Sequence, residues 1–336
     1  MSDPKKSLIV TVADKNYLNQ AKQLFASIYF TAGWSGDYLL LTDNSLSAEE
    51  KNWFKIRGII VYAPNLIDTV YFSSTRKYPP LILSKLYLFQ EYFKKWDTVT
   101  FVDADVIVNA SLNNLLTIPG FCAPKAETFK LRDEFSKDKT IIKELGLNKK
   151  YNLNSLACCT GIFSFTTDII KPDTFTKLLA LYQENKKACL YGEESVLNLF
   201  FYKNWHRLHD LYNFNPHYLY NHYKIKNNNI QPFIYHFFHW PKPWQSESPY
   251  YETWQTNLKK AENINLQNKL LPKKIISEAE EKKDLQYIKR KKTRQQAKKL
   301  ISFIFLPIDR RLGLLGLLIK KKYPKLYRLI SIKKNV

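Results

Sequence analysis

The stretch "TVTFVDADVIVN", residues 98–109, sets two aspartates inside a run otherwise fit for a protein core. Val, Thr, Phe and Ile favour extended backbone, and a short apolar run of this kind reads as a buried strand. Asp103 and Asp105 stand two apart, so an extended chain projects both from one face. Two hard carboxylate oxygens on one edge suit Mg²⁺ or Mn²⁺ rather than zinc. About one such D-x-D pair is expected by chance in a chain of this length, and solvated turn carboxylates are the plain alternative. The neighbouring elements therefore decide what the pair means.

Upstream, "SLIVTVA" (7–13), "GDYLLLTD" (36–43) and "IIVYAP" (59–64) read as strands. Between them lie a helical stretch from about Leu18 to Phe30 and "SAEEKNWFKIRG" (47–58). The latter has Ser47 followed three residues later by Glu50 and ends at Gly58, the signature of a capped helix. "PPLILSKLYLFQEYFKKW" (79–96), with Pro at its start, predicts a further helix leading into the aspartate-bearing strand. Alternation of strands and helices points to a largely parallel α/β sheet over the first 120 residues. The two aspartates then fall beyond the carboxyl end of a strand, where such sheets bind ligands. Downstream, "TGIFSFTTD" reads as a strand, "GEESVLNLFFYK" as a helix start, and "FIYHFFHWPKPW" as an aromatic strand entering a Pro-rich turn.

Length and composition suit a globular protein: 336 residues, 45% apolar and 15% aromatic. The nine glycines form no Walker or Rossmann phosphate loop. Cys122, Cys158, Cys159 and Cys189 show no CxxC spacing, which argues against a zinc site or a disulfide framework and for a reducing compartment. The apolar run near the N-terminus is too short for a signal peptide, so a cytoplasmic location is expected.

The net charge of +22 is concentrated at one end. Residues 269–336 hold 21 Lys/Arg against 5 Asp/Glu, whereas the preceding 268 hold 31 against 25. The expected organisation is a catalytic domain over 1–260 and a basic, mainly helical extension over 261–336. That extension shows no helix-turn-helix, zinc-finger or RNP pattern and no interleaved stacking aromatics, which argues against a specific nucleic-acid partner. Its apolar run is interrupted at Pro307 and at Asp309, Arg310 and Arg311, leaving halves too short to span a bilayer. Lys/Arg clusters beside Leu, Ile, Phe and Tyr suit an interfacial helix on an anionic membrane surface, with a partner or oligomer contact as the second reading.

Four motifs in order, "RKYPPLILSKLYLF…FVDADVIVNASLNNLL", "TGIFSF", "GEESVLNLFF" and "IYHFFHWPKPW", resemble glycosyltransferase family 8, from about Leu8 to about Trp244. That family includes glycogenin and the bacterial lipopolysaccharide galactosyl- and glucosyltransferases. The resemblance implies a GT-A fold (a Rossmann-like, mixed but largely parallel sheet flanked by helices), a UDP-sugar donor and Mn²⁺, with Mg²⁺ as the alternative ion. It also implies hexosyl transfer with retention of anomeric configuration to a glycan or glycolipid acceptor.

Carried over motif by motif, Asp103 and Asp105, with Ala104 between them, resemble the metal-binding pair, and His236 the histidine that completes the site. Lys242 matches the diphosphate-binding lysine six residues after that histidine. Arg76 and Lys85 resemble donor-contacting basic residues, with solvated helix charges as the alternative. Ala13, Asp14 and Tyr17 match positions near the base and ribose, although Tyr17 equally suits a core aromatic. The "NFNP" segment, Asn213 to Pro216, resembles an acceptor-side segment with His217 nearby.

Three departures stand out. Glu193-Glu194 replaces the usual Asp-Gln, Cys159 replaces an Asn before Thr160-Gly161, and His239 replaces a small Gly near the diphosphate. A cysteine cannot reproduce an amide's paired donor and acceptor, which points to altered sugar recognition. Glu194 suggests an electrostatic or nucleophilic carboxylate near the anomeric carbon, with helix N-terminal acids complementing the dipole as the alternative. The reading is a cytoplasmic, membrane-peripheral transferase acting on a lipid-linked or lipopolysaccharide-type glycan. A glycogenin-like protein- or self-glycosylating transferase and a non-catalytic UDP-sugar-binding module are its rivals.

Overall fold

Two-residue alternation builds the core. In the computed structural model, which describes residues 6–67, 80–126, 130–226, 229–239 and 241–304, strand β1 (Ser7–Val12) lies between β2 (Asp37–Leu41) and β4 (Thr98–Val102). Leu8, Val10, Leu39, Leu41, Val99 and Phe101 bury on one face, and Ile9, Tyr38, Leu40 and Val102 on the other. A strand covered on both faces needs apolar residues at consecutive positions, as these have.

The remaining strands are β3 (Ile60–Tyr62), β5 (Val106–Val108), β6 (Phe121–Pro124), β7 (Ile162–Thr166), β8 (His206–Leu208) and β9 (Ile234–His236). Seven of the nine described strands form one sheet in the order β3-β2-β1-β4-β7-β6-β8. The β3-β2-β1-β4 half is parallel, β7 runs antiparallel to both β4 and β6, and β6 is parallel to β8. A separate two-stranded antiparallel ribbon pairs β5 with β9.

The described α-helices are α1 (Leu18–Ser27), α2 (Ala48–Lys55), α3 (Lys139–Glu144), α4 (Leu147–Lys150), α5 (Thr174–Asn185), α6 (Glu193–Phe200), α7 (Pro216–Tyr223), α8 (Tyr251–Lys260) and α9 (Glu278–Ile304). The expected cap of α2 forms as a full capping box: Glu50 N donates to Ser47 Oγ at 3.2 Å, and Ser47 N donates to Glu50 Oε2 at 2.7 Å.

Two expected elements differ. The run 98–108 is not one strand: it ends as β4 at Val102 and resumes as β5 at Val106. Asp103 N instead donates to Gly161 O at 2.8 Å, and β5 leaves the main sheet to pair with β9. The expected helix over 79–96 is two 3₁₀ segments, Pro80–Phe89 and Glu91–Lys95, separated by extended Gln90. At three residues per turn, Leu83, Leu86 and Phe89 stack along one buried face and Ile82 and Lys85 share another.

From residue 261 into the first half of α9 the chain stays on the same body. Ala261, Ile264, Ile276 and Ile288 are buried in the core cluster that contains β1 and α1. Lys273 N donates to Thr31 O at 3.0 Å and Ser111 N to Lys274 O at 2.8 Å. The first half of α9 is fixed by Gln231 N donating to Asp284 Oδ2 at 2.7 Å and by His209 Nε2 to Glu281 Oε1 at 2.8 Å. No helix among the described residues is long and apolar enough to cross a membrane.

Candidate active site

The break between β4 and β5 carries Asp103 and Asp105, and the β5–β9 register brings the third member to them. Val106 lies opposite His236, so the histidine faces the residue next to Asp105. His236 Nε2 sits 3.2 Å from Asp105 Oδ1 and 3.9 Å from Asp103 Oδ2. One ligand atom from each of the three residues lies within 4.8 Å of the others.

The ring's orientation is set from behind. His236 Nδ1 is 2.7 Å from Asn213 Oδ1, and an amide oxygen can only accept, so Nδ1 donates there and Nε2 faces the carboxylates. Asn213 is held there because His236 N donates to Phe214 O at 3.0 Å and Phe214 N to Ile234 O at 3.1 Å. Gly161 supplies the room: a Cβ there would stand 2.5 Å from His236 Cε1 and 2.8 Å from Asp103 Oδ2. Two carboxylates, an imidazole oriented by Asn213 and a glycine that leaves space fit a divalent cation.

Two lysines approach this cluster. Lys242 Nζ lies 2.6 Å from Asp105 Oδ2, and its backbone N donates to Gln245 Oε1 at 2.7 Å, fixing the turn. Burial alone would raise the Asp105 pKa, but His236 and Lys242 outweigh it and hold that carboxyl well below the usual range. Lys85, only 3% exposed, bridges Asp103 Oδ1 at 3.0 Å and Glu193 Oε1 at 2.8 Å, over the Phe101 ring. Burial would lower its pKa, yet the two carboxylates prevail and keep it charged.

Opposite them lie the first turn of α6 and the loop before β7. Asn198 clamps the two: its Oδ1 accepts from Cys158 N at 2.7 Å, and its Nδ2 donates to Cys158 O at 2.8 Å and Glu194 O at 3.0 Å. Glu194 Oε2 accepts from Thr160 N at 2.8 Å. Glu193 is 2% exposed, and its Oε2 has no hydrogen-bond partner. Burial pushes its pKa up to about 7, only partly offset by Lys85. Burial, and then Glu194, likewise raise the Cys159 thiol well above its usual value, so it stays protonated.

These walls enclose a cavity of about 390 Å³ lined by Lys85, Asp103, Asp105, His236, Cys159, Thr160, Glu193, Glu194 and His239, among others. The sequence-predicted metal and sugar positions thus share one cavity, and Lys242, which does not line it, joins them through its contact with Asp105. Ala104 is buried in the turn between the aspartates. Ala13, Asp14 and Tyr17 do not line the cavity. Ala13 N bonds Leu41 O, Asp14 caps the 3₁₀ turn Lys15–Tyr17, and Tyr17 packs edge-on against Trp244, two residues from Lys242. His217 is 2.8 Å from Asn221 Nδ2 on α7 and does not line the cavity either. Arg76 lies outside the described residues.

Sequence reasoning did not assign Asn213 as the histidine's orienting partner, Asn198 as a clamp, or Gly161 as an obligatory gap. "NFNP" and "TGIFSF" had drawn attention as motifs, but the reason for them lies in pairings remote in sequence.

A family model described as "Glycosyl transferase family 8" matches residues 8–248. The chain belongs to glycosyltransferase family 8. No curated protein matches it. Among solved structures, an active-site mutant of LgtC in which a Gln becomes Glu superposes with a TM-score of 0.59 at 17% identity, covering 75% of this chain and 95% of LgtC. GlyE from Streptococcus pneumoniae TIGR4 gives 0.54 at 18%, covering 77% and 63%. The bifunctional glycosyltransferase WbbM gives 0.55 at 17%, covering 79% of this chain, which spans about half of WbbM's length. These likenesses establish the shared fold: a seven-stranded, mostly parallel mixed sheet of the GT-A kind with a helical C-terminal region.

Proposed function

We propose that this family 8 glycosyltransferase moves a hexose from a UDP-sugar to a lipid-linked or lipopolysaccharide-type glycan, with Mn²⁺ and with retention of anomeric configuration. The observation that carries the reading is the convergence of Asp103, Asp105, His236 and Lys85 on one cavity whose far wall is carboxylate, with Lys242 paired to Asp105. A mixed carboxylate–imidazole set favours Mn²⁺ over Ca²⁺. An ion held by those three residues supplies charge neutralisation at the departing diphosphate.

The protein's own groups do the rest. Lys242, on the fixed turn after His236, leaves Asp105 for the diphosphate and stabilises UDP as it departs. Lys85 stays with Asp103 and Glu193 and orients both. Glu193 and Glu194 face the sugar from the α6 side, where a buried carboxylate stabilises positive charge developing at the anomeric carbon. The acceptor hydroxyl attacks from the side on which UDP leaves. LgtC was also solved with donor and acceptor sugar analogues and is a galactosyltransferase. The Cys159 and Glu194 substitutions here leave the choice of hexose to experiment.

We place the enzyme at the inner face of the cell membrane, attached through the basic extension 269–336. UDP release across a panel of UDP-sugars, with and without Mn²⁺, tests the reaction. Release with one donor, abolished by chelation, is expected; no release with any donor would favour a binding module. Flotation with anionic vesicles tests the attachment separately.

A further inference from the structure

Next to the cavity, on its α9 side, lies a second recess with the opposite charge. Asp210, in the turn after β8, meets three cations: Lys292 of α9 in direct contact, Arg207 Nη2 at 3.8 Å and Lys125 Nζ at 4.0 Å. Lys289 lines the same cleft, which measures about 360 Å³. Among the described residues the cleft thus sets four cations against one acid within it. The adjacent His209–Glu281 pair satisfies itself and docks α9.

The recess adjoins the cavity. A small space of about 50 Å³ lies between them, sharing Ala126, Asn213 and Phe238 with the cavity and Lys125, Asp210 and Lys292 with the cleft. Arg207 and Lys289 are exposed, and the other two cations are drawn inward. Lys125 and Lys292 are each about one-fifth exposed, and Lys292 also lies over the Tyr223 ring at 5.6 Å. Burial lowers the Lys125 pKa, the attraction of Asp210 opposes it, and Lys292 and Arg207 add smaller lowering contributions. Asp210 itself is held below its ordinary value, against burial, chiefly by Lys292 and Lys125.

We propose that this cleft is an acceptor subsite that binds a phosphate group on the acceptor glycan while a hydroxyl of the same acceptor reaches the cavity. The inference rests on the glycosyltransferase reading and specifies its acceptor as phosphate-bearing. Lys and Arg around a concave surface bind phosphate by charge and by the guanidinium's paired N–H groups. Asp210 keeps the lysine and arginine heads in place when the site is empty. The cleft is formed by α9 together with β8 and the end of β6, so the first half of the basic extension contributes to substrate recognition.

The test uses the full chain loaded with Mn²⁺ and saturating UDP, titrated calorimetrically with hexose 6-phosphate and with the free hexose. Binding of the phosphate sugar alone is expected. It should weaken about tenfold in Arg207→Gln and further in Lys292→Gln, recover in Lys292→Arg, and be unchanged in Lys282→Gln. Arg207 is half exposed, so its variant folds even if loss of Lys292 strands Asp210. Equal binding of both sugars, wild-type affinity in Arg207→Gln, or displacement of the phosphate sugar by UDP overturns the proposal. So does flotation with phosphatidylglycerol vesicles that needs Arg207 and Lys292 while hexose 6-phosphate does not bind, because the phosphate recognised is then a lipid headgroup. Failure of UDP to bind would instead sink the glycosyltransferase reading, and the phosphate-sugar titration would still report on the cleft.

Discussion

The cavity at Asp103 and the cleft under α9 are built from adjoining parts of the fold but carry opposite imbalances. In the cavity Asp103, Asp105, Glu193 and Glu194 meet two cations, Lys85 and Lys242. In the cleft, among the described residues, Asp210 meets Lys125, Arg207 and Lys292. A semi-buried cluster that does not cancel its own charge is left short of a ligand of the opposite sign. On the proposed reading the cavity takes a cation and then the donor's pyrophosphate, and the cleft takes an anion. The acids lie at the break between β4 and β5 and at the start of α6, while the cations come from α9, β8 and the residue after β6.

Removing a carboxylate from the cation-seeking side is the largest perturbation. Asp105→Ala takes away a metal ligand and the partner of Lys242 together, and several kcal/mol of transition-state stabilisation corresponds to a loss of ~10³-fold in kcat/KM. Donor turnover measured at saturating Mn²⁺ checks it. Activity within tenfold of wild type would mean that the cluster is an ion-pair network and not a metal site.

A pH dependence follows from Glu193. Its folded-state pKa rises from 4.5 to about 7, so the folded protein holds this proton more tightly than the unfolded chain does. The stability that the proton provides is complete below about pH 4.5 and is lost as pH rises through about 7. The expected loss is up to about 3 kcal/mol, the size set by the shift. Urea unfolding of metal-free wild type and Glu193→Gln at pH 5 and pH 8 reads it: wild type should lose stability relative to the variant at the higher pH. Parallel profiles would show that Lys85 fully compensates the carboxylate in both states.

What could be read in the sequence follows the range of the interactions. The strands β1 to β3 and the α2 capping box were legible because apolar runs and a Ser-x-x-Glu pattern are local signals. Asp103, Asp105, His236 and Lys242 were legible as a set only through motifs in a known order, since nothing local ties residue 103 to residue 236. The division of 98–108 into two strands was not legible. The residues on both sides of the break favour extended backbone, and the break is made by Gly161 and β9, both far off in sequence. The 3₁₀ form of 80–89 was hidden similarly, because apolar residues dense enough to bury any face carry no clear period. The charge reversal at Asp210 was invisible for a different reason. Lys125, Arg207 and Lys292 belong to three separate segments, and the last looked like part of a basic tail.

The second sphere gives a smaller effect. Asn213→Ala removes the acceptor that orients the His236 ring while leaving all three ligands in place. Loss of such a partner typically weakens metal affinity by about 10–100-fold. Titration with Mn²⁺ followed by water proton relaxation measures it directly, and unchanged affinity would show that β9 alone holds the ring.

The smallest expected effect lies at the position where the acid excess is greatest. Glu194→Gln removes one negative charge, yet its amide oxygen can still accept from Thr160 N, so the clamp between α6 and the 158–160 loop survives. If the carboxylate stabilises positive charge at the anomeric carbon, that stabilisation is made mainly in the transition state, and kcat should fall by roughly tenfold with little change in donor KM. If its role is to complement the α6 dipole, the variant should lose a little stability and keep its kcat. The ratio of kcat to KM effects therefore separates chemistry from scaffolding at one residue. Wild-type kcat in Glu194→Gln would leave the negative wall of the cavity as a device for holding the cation alone.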